Sequence, residues 1–98
     1  MRREKVMEEL EQKRGKIREL GVERLELAGS HVKDTADEES DIDFIVTFKA
    51  GRGGYRDYFD LLHLLEDVFE KEIDLAKKEL IKEELKDSLL GDAVDTPV

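Results

Sequence analysis

Residues Leu25 to Phe48 read LELAGSHVKDTADEESDIDFIVTF, and this stretch decides the fold. Its last eight residues, Asp41 to Phe48, put Ile42, Phe44, Val46 and Phe48 on one side of an extended chain. Asp41, Asp43, Ile45 and Thr47 fall on the other. A period of two with apolar residues on one side is the mark of a strand that buries one face. The opening residues end a second strand, Val22 to Ala28, in which Leu25 and Leu27 point one way and Arg24 and Glu26 the other. Gly29-Ser30 stops that strand, and a polar, acidic connection from His31 to Ser40 leads into the next.

Working outward, the segment Arg2 to Leu20 favours helix, with Val6, Leu10, Ile17 and Leu20 roughly on one face. Gly15 interrupts it at a cost of about 1 kcal/mol, and Gly21 is placed to cap its C-terminus. Beyond Phe48, the glycines Gly51, Gly53 and Gly54 make a loop. A helix is then expected from Tyr55 to Glu70, burying Tyr58, Leu61, Leu62, Leu65 and Phe69. Glu72 to Ala76 reads as a short strand with Ile73 and Leu75 facing the core. A last helix is expected over Lys78 to Leu90, with Ile81, Leu85 and Leu89 in one stripe. The order helix, strand, strand, helix, strand, helix implies an α/β (α+β) domain spanning 1–98, a small mixed sheet with helices packed on one face.

Composition bounds the function. The 98 residues suffice for one modest core. A net charge of −9 argues against an extensive grip on nucleic acid. With no cysteine and two histidines, thiolate sites are excluded and a zinc site is disfavoured. A hard cation held by carboxylates is the metal that fits. No apolar run reaches the roughly 20 residues of a membrane span and no signal-peptide core leads the chain, so the expected location is cytoplasmic.

The chemistry sits on the polar face of the sheet. Asp41 and Asp43 are two apart on a strand, so their carboxylates leave the same face with Cα atoms about 6.6 Å apart. Asp74, flanked by core-facing Ile73 and Leu75, projects to that face as well. If its strand lies beside the Asp41 strand, three carboxylates converge, and such a cluster is unfavourable until a cation neutralises it. Mg²⁺ with carboxylates, waters and substrate phosphates is the usual solution. Gly29 lets the backbone approach a phosphate closely, and a helical turn starting at Ser30 would add free N–H groups and a hydroxyl. Among 26 acidic residues a lone D-x-D says little, and a lone Gly-Ser is usually a turn. The ordered combination of strand, Gly-Ser, ten residues, Asp-x-Asp and a later strand aspartate is far more specific. Arg52 and Arg56, beside the glycine loop, are read either as contacts to a triphosphate or partner or as solvated charge.

Those residues resemble the G-S-x10-D-x-D element of the DNA polymerase β-like nucleotidyltransferase superfamily. The short chain and its EIDLA strand resemble the minimal nucleotidyltransferase (MNT) branch. The resemblance implies that Gly29 and Ser30 bind nucleotide phosphates. It also implies that Asp41, Asp43 and Asp74 hold Mg²⁺ and that Asp74 activates the attacking hydroxyl. ATP is the implied substrate. A HEPN-family helical toxin is the implied partner, with the MNT chain as antitoxin transferring AMP to a hydroxyl of that protein. Homo- or hetero-oligomers are compatible with this. Where the family follows Gly-Ser with a stretch such as R-A-R-G, this chain has His31, Val32, Lys33 and Asp34. That departure motivates the alternative of a weakly active or inactive MNT-fold module that neutralises its partner by binding alone.

Overall fold

The computed structural model describes residues 3–28, 41–81 and 93–98. Its elements run α1 (Arg3–Gln12), α2 (Arg14–Glu19), β1 (Val22–Ala28), β2 (Ile42–Phe48), α3 (Tyr55–Phe69), β3 (Ile73–Lys77), a 3₁₀ turn (Lys78–Leu80) and β4 (Val94–Asp95). The strands form one mixed sheet in the order β3-β2-β1-β4. β1 is antiparallel to both β2 and β4, and β2 is parallel to β3. The parallel pair is joined through α3, the crossover that parallel strands require.

The core forms because every element turns an apolar stripe inward. Val6 and Leu10 of α1, Ile17 of α2 and Leu61, Leu65 and Phe69 of α3 are buried in one cluster with Leu25, Leu27, Ile42, Phe44, Val46, Ile73 and Leu75 of the sheet. The four-residue spacing in the helices and the two-residue spacing in the strands are the periods of those elements. Each fully buried leucine contributes about 1.5–3 kcal/mol. Phe44 and Phe69 meet at 5.9 Å between ring centroids. Tyr58, half-buried, donates its hydroxyl to the Leu75 carbonyl at 2.5 Å, tying α3 to β3.

Two glycines have steric reasons. Gly21 adopts φ +85° after α2, and a Cβ there would lie 2.7 Å from the Arg52 side chain. Gly53 adopts φ +90° before α3, and a Cβ there would lie 2.7 Å from Phe48. L-residues with side chains pay for that backbone conformation, and here the space is filled as well.

Several expectations are corrected. The N-terminal helix is two helices, and the break falls at Lys13 (φ −102°, ψ 7°), not at Gly15. Ile17 of the second helix remains buried in the same core as Val6 and Leu10 of the first. β1 carries a bulge: Val22 pairs with Phe48 but Arg24 with Thr47. The extra residue, Glu23, allows Val22 to be buried although it is out of phase with Leu25 and Leu27. Lys78 does not open an α-helix. Lys78–Leu80 is a 3₁₀ turn and Ile81 is extended (φ −72°, ψ 127°), so the expected last helix does not begin there. Its remainder, 82–90, lies outside the described residues. The tail, read without structure, supplies β4 and returns Val98 to the core. No helix among the described residues is long and apolar enough to cross a membrane.

Candidate active site

β2 and β3 run parallel with Ile42 opposite Ile73, Asp43 opposite Asp74 and Phe44 opposite Leu75. In each strand the aspartate is flanked by residues buried against the helices. Alternation therefore sends both carboxylates to the sheet face away from α1–α3. An additional bond from the Ile42 N–H to the Glu72 carbonyl, 3.3 Å, clamps the two strands just before this pair. Residues that the sequence places on separate strands are thus brought side by side.

The electrostatics of the pair follow from that register. Asp43 is half-buried and sits directly beside Asp74 on the neighbouring strand. Its pKa is raised to about 6, first by burial, then by the adjoining Asp74 side chain, then by the charges of Asp74 and Asp41. Two carboxylates placed side by side disfavour ionisation of both at once. Asp41 is exposed, immediately before β2, and contributes charge to Asp43 from there. It does not close a three-carboxylate group compact enough to grip an ion among the described residues. Gly29 and Ser30 lie outside the described residues, as does His31. β1 ends at Ala28, directly opposite Asp43.

A recess of about 280 Å³ opens beside the pair, lined by Ala28, Asp43, Ile45, Asp74 and Ala76 together with parts of Phe44 and Leu75. Small side chains flank the aspartates, so the carboxylates stand proud of an apolar floor. That suits a flat or extended ligand laid against the sheet with its polar groups at the acidic end. With both ionised, the two adjacent carboxylates repel, and the usual solution to such a pair is a divalent cation. The donor set, oxygen only, fits Mg²⁺ in kind.

The opposite end of β2 is built differently. Arg52 forms a two-pronged pair with Asp57, 2.9 Å on each prong, and also donates to the Glu19 carbonyl. Asp57 accepts from the Gly53 N–H at 3.0 Å, and Lys77 donates to the Gly53 carbonyl. Arg52 is thus committed to holding the start of α3 and stands at the end of β2 away from Asp43. The second recess, of about 210 Å³, lies at this end and includes Thr47, Lys49, Arg52, Lys77 and Glu79.

Sequence reasoning missed one feature of the polar face. Glu26 is the one buried charged residue among those described, at 6% exposure. Its carboxylate lies 3.4 Å from Lys78 Nζ and 4.0 Å from Arg24 Nε. Arg24 in turn grips Asp95 of β4 through two bonds of 2.6 and 2.8 Å. Alternation placed Glu26 on the outward face, and nothing in the sequence marked that face as covered.

Comparison with known proteins adds to this geometry. A family model described as a nucleotidyltransferase domain matches residues 3–96. A Methanocaldococcus jannaschii protein that carries the name protein adenylyltransferase is 39% identical over 75 residues, covering 76% of this chain and 80% of that protein. A solved structure described as a minimal nucleotidyltransferase superposes with a TM-score of 0.82 at 26% identity, over 96% of this chain and 95% of the other. A toxin–antitoxin structure with AMP-PNP superposes at a TM-score of 0.68 with 18% identity, over 97% of this chain and 72% of its own. A Shewanella oneidensis complex of a tri-AMPylated HEPN toxin with its MNT antitoxin gives 0.63 at 18% identity, over 91% and 70%. At that identity the last two likenesses concern the fold alone.

Proposed function

The chain belongs to the nucleotidyltransferase domain family, and from that premise we propose that it transfers AMP from Mg²⁺·ATP to a hydroxyl of a partner protein. The observation that carries the reading is the in-register pair Asp43–Asp74 on the open face of the sheet, beside an apolar recess. In this reading Asp43 and Asp74, together with Asp41, would hold Mg²⁺. Gly29 and Ser30, which follow Ala28 in sequence, bind the nucleotide phosphates. Mg²⁺ bound there would offset the charge on the α-phosphate and on the leaving pyrophosphate. The acceptor hydroxyl oxygen attacks the α-phosphorus, the bond to pyrophosphate breaks, and the hydroxyl proton passes to the Asp74 carboxylate. Asp43 must release its proton before it can serve as a ligand, so the site is competent above about pH 6.

The partner in this reading is a HEPN-type helical toxin, and the chain is its antitoxin. The recess, about 280 Å³, leaves little room for a nucleotide and an acceptor together, so in this reading the other protein delivers the acceptor. The family match and the fold shared with MNT antitoxins support this, as does the name of the 39% identical relative. The test is transfer of label from α-³²P-ATP to the co-expressed partner in the presence of Mg²⁺. Transfer is expected from the native chain and is expected to vanish with Asp41→Asn plus Asp43→Asn. Label transfer that survives both substitutions would overturn the assignment.

A further inference from the structure

The face that carries Asp43 and Asp74 also carries an ion pair with no role in that reading. Strand register sets two rows across it. Ala28, Asp43 and Asp74 form the first, and Glu26, Ile45 and Ala76 the second. Lys78 follows Ala76 by two residues and leans back to place Nζ 3.4 Å from Glu26. Glu26 is on β1 and Lys78 follows β3, so their contact crosses over β2 at the level of Ile45, which is 3% exposed. One row is about 6.6 Å along a strand, so this bridge lies next to the acidic pair. We propose that Lys78 is a triphosphate-contacting residue of the site, restrained by Glu26 until nucleotide arrives. The proposal rests on the nucleotidyl-transfer reading and adds the cation that the reading lacks.

The neighbouring cations are poor substitutes. Arg24 is locked to Asp95 on the far edge by two short bonds. Lys49 belongs to the recess at the other end of β2, six positions from Asp43 and so about 20 Å along the strand. Lys78 has the loosest tether: a single contact of 3.4 Å on a side chain 37% exposed, against a Glu26 side chain only 8% exposed. A triphosphate presents more charge than one carboxylate, so Lys78 exchanges one anion for a stronger one. Glu26, left behind, keeps Arg24 at 4.0 Å.

The two halves of the pair therefore have opposite expected effects. Binding of the α,β-methylene analogue of ATP with Mg²⁺ is measured by calorimetry, alongside thermal melting of each variant. Lys78→Met should weaken binding about tenfold, the loss of one charge-assisted bond, and Lys78→Arg should restore most of it. Glu26→Gln should tighten binding several-fold, because the competing carboxylate is gone. Unchanged affinity in Lys78→Met, with the native chain binding, overturns the proposal. So does a parallel weakening in Lys78→Met and Glu26→Gln that tracks their melting temperatures, the signature of a structural strap. Failure of the native chain to bind the analogue overturns the nucleotidyl-transfer reading itself, and this proposal with it. If Lys78→Met does not fold, Lys78→Gln and the Glu26→Gln arm carry the same decision.

Discussion

The two ends of β2 make contrasting use of charge. At the end that leads to α3, Arg52, Asp57, Gly53 and Lys77 satisfy one another, and Asp57 is held down to about pH 2 chiefly by its bond to Arg52. At the other end Asp43 is pushed up to about 6 by burial and by Asp74. One end has opposite charges within hydrogen-bond reach. The other has like charges set side by side by strand register, with no described cation bonded to them. Charges that only hold a fold together are expected to be paired, so the unpaired end is where the chain spends stability on something else.

The largest effect should come from removing the unpaired end. Asp43→Asn or Asp74→Asn should lower nucleotidyl transfer at least about a hundredfold in the labelling assay, while raising the melting temperature at pH 7 because like-charge repulsion is relieved. A fall in both activity and melting temperature would erase the contrast. Next, Gly53→Ala should destabilise by about 1–3 kcal/mol in urea unfolding, since it needs φ +90° and collides with Phe48. Activity per folded molecule should hold, because the strain falls at the paired end.

Titration should then separate the ends by sign. Asp43 binds its proton more tightly folded than unfolded. Its contribution to stability is full below about pH 4 and is lost as pH rises toward about 6. Asp57 does the reverse: its contribution is present above about pH 4 and is lost as pH falls toward about 2. Calorimetric melting across pH 2–7 should show both slopes, with Asp43→Asn deleting only the upper and Asp57→Asn only the lower. Mg²⁺ should raise the melting temperature above about pH 6 and do little below it, because proton and metal compete for Asp43. The smallest effect is that of Asp57→Asn at pH 7. It weakens an exposed pair and should cost a few degrees of melting temperature with transfer intact.

This contrast was half legible in the sequence. The strands β1, β2 and β3 and helix α3 carry clean periods of two and about four, and their bounds fall within a residue of those read from the pattern. The side-by-side placement of Asp43 and Asp74 was conditional on which strand neighbours β2, which no local pattern states. It is fixed by the α3 crossover and by burial of Ile42, Phe44, Ile73 and Leu75. β4 went unread because two residues show no alternation. Val94–Asp95 is a strand only because β1 offers a free edge and Arg24 and the Leu25 carbonyl hold the tail through Asp95 and Thr96. The break at Lys13 was misplaced because Gly15 has the weaker helix propensity. Lys78 opens the last helix expected from sequence, yet its side chain turns back to the buried Glu26, a partner 52 positions away.

The parallel pairing of β2 and β3 also has a consequence in time. Asp43 and Asp74 become neighbours only after the whole of α3 has formed and folded back, so their meeting is a late, long-range event. A nascent or half-unfolded chain therefore presents scattered aspartates and no site. Competence for chemistry arrives together with completion of the sheet, and the chain cannot act on a partner before it has finished becoming itself.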